Sequence, residues 1–234
     1  LEDERTELDR RFAAAMQHYG LGADDIAGRL FVDTGREQEL VLAEQVRDNL
    51  ILNGPVIERL TAEIRANHID VLILDPFVSS HRVNEMDNGK IDAVAKQWIK
   101  VAEDCACAVE LVHHTRKLNG MEASSDASRG ASSLINAARS ARVLQRLSDD
   151  ELQEAGVADD GSTYFSVKRD KSNLAAAGRR ETYRTVSVEL GQGDSVGVVE
   201  AWEKPSAFAG LSDRNLLQVQ QALEDGESRA NEQA

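Results

Sequence analysis

The sequence predicts an α/β fold, with a mostly parallel sheet flanked by helices and antiparallel strands at its C-terminal end. Two apolar runs, at 71–74 and 108–112, are typical of strands that helices cover on both faces. Segments with the apolar spacing of helices alternate with these runs, which is the element order of a parallel sheet. Later segments alternate apolar and polar residues, as antiparallel strands do: 164–167, 182–190 and 196–202.

The first elements are short. An amphipathic helix comes first, and small strands are expected at 29–33, 40–42 and 50–52. Pro55 opens the next helix, because proline is favoured in the first helical turn. The apolar side chains of that helix recur at helical spacing: Ile57, Leu60 and Ile64.

A second group of elements follows the strand at 71–74. A polar loop leads to a long helix, and the strand at 108–112 comes next. A loop rich in Ser and Gly then precedes a helix at 131–138 and a strand at 141–147. The long helix has an apolar stripe at helical spacing: Ile91, Val94, Ala95, Trp98, Ala102 and Cys105.

Composition limits the class of protein. The apolar fraction of 41% supports a substantial core, and no apolar run reaches the roughly 18 residues of a membrane span. The formal charge of −14 argues against a dedicated DNA-binding domain that binds through charge alone. Cys105 and Cys107 are expected as small packing residues in a reducing, cytoplasmic location rather than as metal ligands.

We expect one domain over 1–203, followed at 204–234 by a linker and the start of a C-terminal helical extension. Leu1 is not a natural initiator, and the last apolar pattern is still helical where the sequence stops. The sequence is therefore expected to be a fragment of a longer protein.

Asp75 directly follows the strand at 71–74. The carboxyl ends of parallel strands form the edge at which open α/β folds bind their ligands. A carboxylate at that position has the form of a Walker B Asp, which holds the Mg²⁺ of a bound nucleotide through water. The alternative for the Asp-Pro pair alone is an Asp that caps the turn before Pro76.

Taken together, several stretches resemble the RecA-like P-loop ATPases, in particular the RepA-type hexameric replicative helicases, AAA-type ATPases of plasmids and mobile elements. The stretches occur in the order of that family: Leu1-Glu2-Asp3, Ile69–Phe77, His113–Lys117, Ser128–Leu134 and Lys171-Ser172-Asn173. The resemblance implies a RecA-like domain that hydrolyses ATP with Mg²⁺ and drives a DNA helicase in replication. It also implies a homo-oligomeric ring, a hexamer, with single-stranded DNA as a partner and no membrane.

One motif of the family is absent from residues 1–234: the phosphate-binding loop G-x-x-x-x-G-K-[ST]. In the family this loop lies one helix and one strand before the strand that bears the catalytic Glu, so here it would precede Leu1. Because the backbone N–H groups of the loop cradle the phosphates, we expect the fragment alone to turn over little or no ATP.

The resemblance assigns roles at the sheet edge. Glu2 matches the glutamate that positions water against the γ-phosphate, whereas its own surroundings also fit an acid at a helix start. His113 and His114 end a strand, so alternation sends them to opposite faces. His114 matches the residue that senses the γ-phosphate, and His113 is the weaker match beside the nucleotide.

Basic residues complete the implied site. Arg116, Lys117 and Arg129 lie in the region that faces the central channel in the family, where they would contact DNA phosphates; solvated surface charges are the alternative. Lys171 matches the cation that reaches the γ-phosphate of a neighbouring subunit, and Arg169 competes for that role. In an extended strand these two residues, two apart, would lie on the same side.

A non-catalytic RecA-like module that serves regulation or assembly is the alternative function. The enzyme hypothesis makes a geometric prediction: Glu2, Asp75 and His114 should converge at the carboxyl edge of one parallel sheet.

Overall fold

The computed structural model describes residues 1–114, 131–157, 160–173, 180–191, 193–205 and 212–224. Its contacts divide the chain into two units. The larger unit comprises residues 1–146 and 161–202, and the smaller unit comprises residues 147–160 and 203–234. In the described parts of the chain, no helix is both long enough and apolar enough to cross a membrane.

The larger unit contains five helices and nine strands in its described residues. The helices are α1 (Arg5–Tyr19), α2 (Ala23–Ile26), α3 (Gly54–Ala66), α4 (Asn88–Cys105) and α5 (Ala131–Ala137). The strands are β1 (Ala43–Val46), β2 (Asn49–Leu52), β3 (Val71–Leu74), β4 (His81–Arg82), β5 (Ala108–Leu111), β6 (Ser140–Arg146), β7 (Tyr164–Ser172), β8 (Glu181–Gly191) and β9 (Asp194–Ala201). A 3₁₀ turn spans Phe77–Ser80. The smaller unit holds α6 (Asp149–Glu154) and α7 (Asp213–Glu224).

The two core helices begin at side-chain caps. Asn53 accepts a hydrogen bond from the Val56 amide at 3.4 Å, and Pro55 lies in the first turn of α3. Asp87 accepts from the Lys90 amide at 3.1 Å and so caps α4. Such caps satisfy backbone N–H groups that have no partner within the helix. Both predicted helices are confirmed.

The strands form three sheets. β3 and β5 are parallel, with Val71 opposite Ala108 and Leu74 opposite Leu111. β1 pairs antiparallel with β2 and parallel with β4, and β6-β7-β8-β9 form an antiparallel sheet. The α/β class and the antiparallel C-terminal sheet are therefore confirmed. Within the described residues, however, only two pairs of strands are parallel: β1 with β4, and β3 with β5. The predicted mostly parallel sheet is therefore not seen in these residues.

One apolar cluster holds the β3–β5 pair, α3 and α4 together. Trp98 of α4 is fully buried there, and its indole N–H donates to the Ser80 hydroxyl at 3.4 Å. Burying large apolar side chains is the main source of stability in such a core. Other members of the cluster are Leu60, Ile64, Leu74, Phe77, Ile91 and Val94.

The prediction that helices cover β3 on both faces was wrong for the described residues. Leu74 is only 2% exposed, whereas Val71 and Ile73 are 54% and 63% exposed. Side chains alternate along a strand, so Val71 and Ile73 share the face that the α3–α4 cluster does not cover. The apolar run identified the strand correctly, but it could not show which face is packed.

Two of the predicted strands, at 29–33 and 40–42, are absent. Residues 29–33 form no strand, because the amides of Arg29 and Leu30 donate to the Ile26 carbonyl in a turn after α2. Residues 40–42 precede β1, and the Leu42 amide donates to the Ser80 carbonyl at 2.8 Å. Leu42 is buried but does not belong to a strand. The apolar residues at 40–42 therefore indicated burial correctly and strand structure incorrectly.

Helix α1 packs on the antiparallel sheet. Ala14 is buried in a small cluster with three valines of β8 and β9: Val188, Val196 and Val198. Polar contacts join the same surfaces, since Arg10 Nε donates to Asp194 Oδ2 at 2.9 Å and the Gln17 amide donates to the Glu189 carbonyl at 3.1 Å. The helix that follows Glu2 is thereby fixed to β8 and β9.

Candidate active site

Asp75 lies at the carboxyl edge shared by β3 and β5. Two backbone hydrogen bonds continue the pairing past the strands, from Val112 N to the Leu74 carbonyl at 2.9 Å and from Phe77 N to the Val112 carbonyl at 2.7 Å. Asp75 directly follows Leu74, the last residue of β3, and its side chain is exposed. His113 and His114 directly follow Val112. The structure therefore brings Asp75 and both histidines to one edge of one parallel pair.

Residues 1–4 lie against the same edge. The backbone nitrogen of Leu1 donates to the carbonyl oxygen of Asp75. Glu2 is the next residue, and its side chain is exposed. The segment forms no strand, so Glu2 is not at the end of a strand as expected. Glu2 is one residue from the backbone contact with Asp75, but it lies outside the sheet, so the prediction that it joins Asp75 and His114 at the sheet edge was wrong for Glu2.

The two histidines have different surroundings. His113 is half-buried, and its Nδ1 lies 3.8 Å from Glu85 Oε1, whereas His114 is exposed. This difference agrees with side chains that point to opposite faces. Only His114 is open to a ligand at the edge.

A third histidine, which the sequence did not single out, lies beneath this edge. His81 is 5% exposed, and its ring packs 4.7 Å from the Phe77 ring between centroids. Its Nδ1 accepts from the Val83 amide at 3.3 Å, and its Nε2 has no hydrogen-bond partner among the described residues. Burial lowers the pKa of His81; Glu85 opposes this effect, and a charged His113 adds to it.

Acid is expected to destabilise the fold through His81. In the unfolded chain its pKa is about 6.5, and in the folded state it is lower, so the unfolded state binds more protons once the pH falls below about 6.5. The contribution of His81 to the free energy of unfolding is fully present above that pH. Below it, that free energy should fall by up to about 1.4 kcal/mol per pH unit until the folded pKa is reached.

Urea unfolding of the wild type, His81→Gln and His68→Gln measures this effect between about pH 7.5 and 5.5. His68 is exposed and serves as the matched control. We expect His81→Gln to flatten the pH dependence and His68→Gln to leave it unchanged. Equal slopes for all three proteins would contradict the assignment to His81.

The two cations of β7 lie on opposite faces, so the prediction that they share a side was wrong. Lys171 is opposite Ala141 and Arg169 is opposite Arg142, with an irregularity that leaves Asp170 without an opposite residue. Such a bulge shifts the alternation by one residue. Because Ala141 and Arg142 are adjacent and point to opposite faces, Lys171 and Arg169 do so as well.

Their contacts differ too. Lys171 Nζ donates to the carbonyls of Ile135 at 2.9 Å and Asn136 at 3.0 Å, at the C-terminal end of α5. A cation at this end of a helix satisfies carbonyls that have no partner within it. Arg169 is exposed and makes no ion pair within the described residues. The predicted DNA contacts Arg116, Lys117 and Arg129 lie outside the described residues.

The described residues could help to hold a Mg²⁺ ion that is bound to a nucleotide, but they could not hold the ion by themselves. No group of three or more His, Cys, Asp or Glu among them could hold a metal ion by itself. Mg²⁺ at phosphate sites needs one or two protein carboxylates, with phosphates and water as the other ligands. The exposed carboxylate of Asp75 meets that need. Cys105 and Cys107 are free thiols packed against the core, as expected of small packing residues.

An open cleft of about 290 Å³ lies beside the edge, lined by Leu1, Gly35, Glu39, Leu40, Val41, Ser79, His81 and Arg82. Ligand pockets usually measure roughly 300–1,000 Å³, so this cleft is at the lower end of that range. Asp75 is not among its lining residues.

Part of the chain matches a known protein family. A family model described as an AAA domain matches residues 1–120, which is 120 of the 234 residues. The matched region contains the first segment, β3 with Asp75, and β5 with the two histidines. No curated protein matched the chain.

Proposed function

Because the chain belongs to the AAA domain family, whose members are nucleotide-hydrolysing ATPases, we propose that it forms the motor of a RepA-type DNA helicase. The motor would act in the replication of a plasmid or mobile element. The observation that carries the proposal is the position of Asp75, with Glu2 next to its backbone contact and the two histidines on the neighbouring strand. An exposed carboxylate at this edge suits a metal-bound triphosphate.

Each residue has a distinct task in this proposal. Asp75 holds Mg²⁺ through water, and Glu2 positions the water that attacks the γ-phosphate. His114, exposed after the end of the adjacent strand, donates a hydrogen bond to the γ-phosphate, while His113 lies beside Glu85. The bound Mg²⁺ supplies charge that stabilises the transferred phosphoryl group.

The proposal extends to assembly and partners. The protein forms a ring, a hexamer, in which Lys171 or Arg169 of one subunit reaches the triphosphate of the next. Single-stranded DNA passes through the channel against Arg116, Lys117 and Arg129. These three cations would supply local positive charge for the DNA phosphates, although the formal net charge of the whole chain is −14.

The test uses the longest polypeptide that the gene encodes. We expect Mg²⁺-dependent ATP turnover that single-stranded DNA increases, together with unwinding of a forked duplex. Residues 1–234 alone should bind ATP weakly, since the phosphate-binding loop makes most of the contacts to the triphosphate. A long polypeptide that carries the loop and still fails to hydrolyse ATP would refute the motor function.

The second candidate function is a non-catalytic module for regulation or assembly. The small cleft, which Asp75 does not line, favours it. Such a module would bind no ATP even in the longest polypeptide, and substitution of Asp75 would change none of its properties except local charge.

A further inference from the structure

The loop Thr34-Gly35-Arg36, here called the 34–36 loop, contacts the backbone on both sides of Glu2. The Thr34 hydroxyl donates to the Asp3 carbonyl at 2.6 Å, and Arg36 Nε donates to the Glu2 carbonyl at 2.7 Å. Arg36 also forms an ion pair with the Glu4 carboxylate. Three consecutive residues of the first segment are therefore held by one loop.

Gly35 allows the close approach. A Cβ atom at this position would lie 2.6 Å from the Leu1 carbonyl oxygen and 3.0 Å from the Leu1 Cβ, which is too near for either contact. Only glycine lets two backbone segments come this close. The segment 1–4 is thus packed directly on the loop and bonded to Asp75 through Leu1.

Thr34 is the buried anchor of this arrangement. The residue is 1% exposed, its amide donates to the Asp33 carboxylate at 2.8 Å, and its hydroxyl also accepts from the Arg36 amide at 3.3 Å. A buried hydroxyl with both donor and acceptor contacts is fixed in one orientation. The Asp3 carbonyl that it binds is therefore fixed as well.

These contacts leave Glu2 in an unusual position. Its neighbours Leu1 and Asp3 are held through their backbones, whereas its own side chain is exposed, one residue from the contact between Leu1 and Asp75. A reacting carboxylate gains most from such an arrangement, because a displacement of about 1 Å can lower a rate about 100-fold.

We propose that the 34–36 loop positions Glu2 for ATP hydrolysis, with Thr34 as the principal positioning residue. The inference rests on the proposed function, since it needs Glu2 to act on water. Thr34 touches neither the nucleotide nor the water in this proposal and acts only through the backbone of residues 1–3.

The experiment compares Thr34→Val with Thr34→Ser in the full-length protein. Valine keeps the shape of threonine and removes the hydroxyl, whereas serine keeps the hydroxyl. We expect Thr34→Val to lower kcat by about 100-fold with the KM for ATP within about twofold of the wild type. Thr34→Ser should restore most of the rate.

A Glu2→Gln background separates positioning from general stability. If Thr34 acts through Glu2, Thr34→Val should cause no further loss of kcat once Glu2 is already replaced. An equal loss in both backgrounds would overturn the inference, and so would a Thr34→Val protein with wild-type kcat. Neither outcome touches the motor function, which fails only if the wild type itself does not hydrolyse ATP.

Arg36→Gln is the second variant, in case Thr34→Val unfolds the protein. Arg36 lies at the surface, so its replacement leaves the core intact. Loss of its bond to the Glu2 carbonyl should lower kcat at an unchanged KM, again only when Glu2 is present. A wild-type kcat for Arg36→Gln, together with an unfolded Thr34→Val, would also overturn the inference.

Discussion

Replacing Asp75 by Asn is expected to lower Mg²⁺-dependent ATP turnover of the full-length protein at least about 100-fold while leaving the fold intact. A metal that stabilises a transferred phosphoryl group contributes several kcal/mol, and each 1.36 kcal/mol is a factor of ten in rate. The fold should survive because the Asp75 side chain is exposed, and its bond with Leu1 uses the backbone carbonyl.

Asp70→Asn is the matched control. Asp70 immediately precedes β3 and is also exposed, but it lies at the opposite end of the strand from Asp75. The same change of charge at that end should leave turnover unchanged. Raising the Mg²⁺ concentration should partly restore Asp75→Asn, because the amide oxygen can still accept a hydrogen bond from a Mg²⁺-bound water. Equal turnover by Asp75→Asn and Asp70→Asn would remove Asp75 from the mechanism.

The sequence predicted the elements that carry the site better than it predicted their packing. β3, β5, α3 and α4 were recognised because apolar periodicity and caps are local signals. The exposure of Val71 and Ile73 was missed, since the number of helices that cover a sheet depends on the whole arrangement. The turn after α2 was missed for a related reason. The residue types at 29–33 fit a strand, but the backbone hydrogen bonds to the Ile26 carbonyl form a turn instead.

The site shows the same limit. Asp75 and the histidines stood out because a polar residue at the end of an apolar strand is conspicuous in a sequence. Thr34, Gly35 and Arg36 carry no comparable signal, because their contacts are with backbone atoms more than 30 residues away. The bulge at Asp170 was also invisible, so two cations with the same apparent spacing lie on opposite faces.

The contacts of β7 bear on which cation would act on a neighbouring subunit in the proposed ring. The sequence favoured Lys171, but Lys171 Nζ is bonded to two carbonyls of α5, while Arg169 is exposed without an ion pair among the described residues. Lys171→Met should therefore lower the melting temperature, because it removes charged hydrogen bonds worth about 1.5–3 kcal/mol each at most. Arg169→Gln should leave it unchanged.

Activity distinguishes the two cations independently of stability. Replacing the residue that acts in trans should lower hydrolysis about 1,000-fold or more while nucleotide binding stays nearly the same. A residue that only holds α5 should show a smaller loss that follows the fraction of folded protein. We expect the larger effect from Arg169→Gln, because Arg169 is exposed and has no ion pair with another described residue that would have to break, whereas Lys171 is bonded to two carbonyls of α5.

Mixing two inactive proteins tests action in trans directly. In a ring assembled from Arg169→Gln and Asp75→Asn subunits, an interface that pairs the intact Asp75 of one with the intact Arg169 of the other is complete. ATP turnover should therefore recover on mixing, to a level set by the fraction of such interfaces, although each protein alone is inactive. Lys171→Met mixed with Asp75→Asn is the parallel experiment, and recovery there alone would return the role to Lys171. If neither mixture recovers activity although mixed rings form, the cation acts within its own subunit or not at all, and the proposed action in trans is refuted.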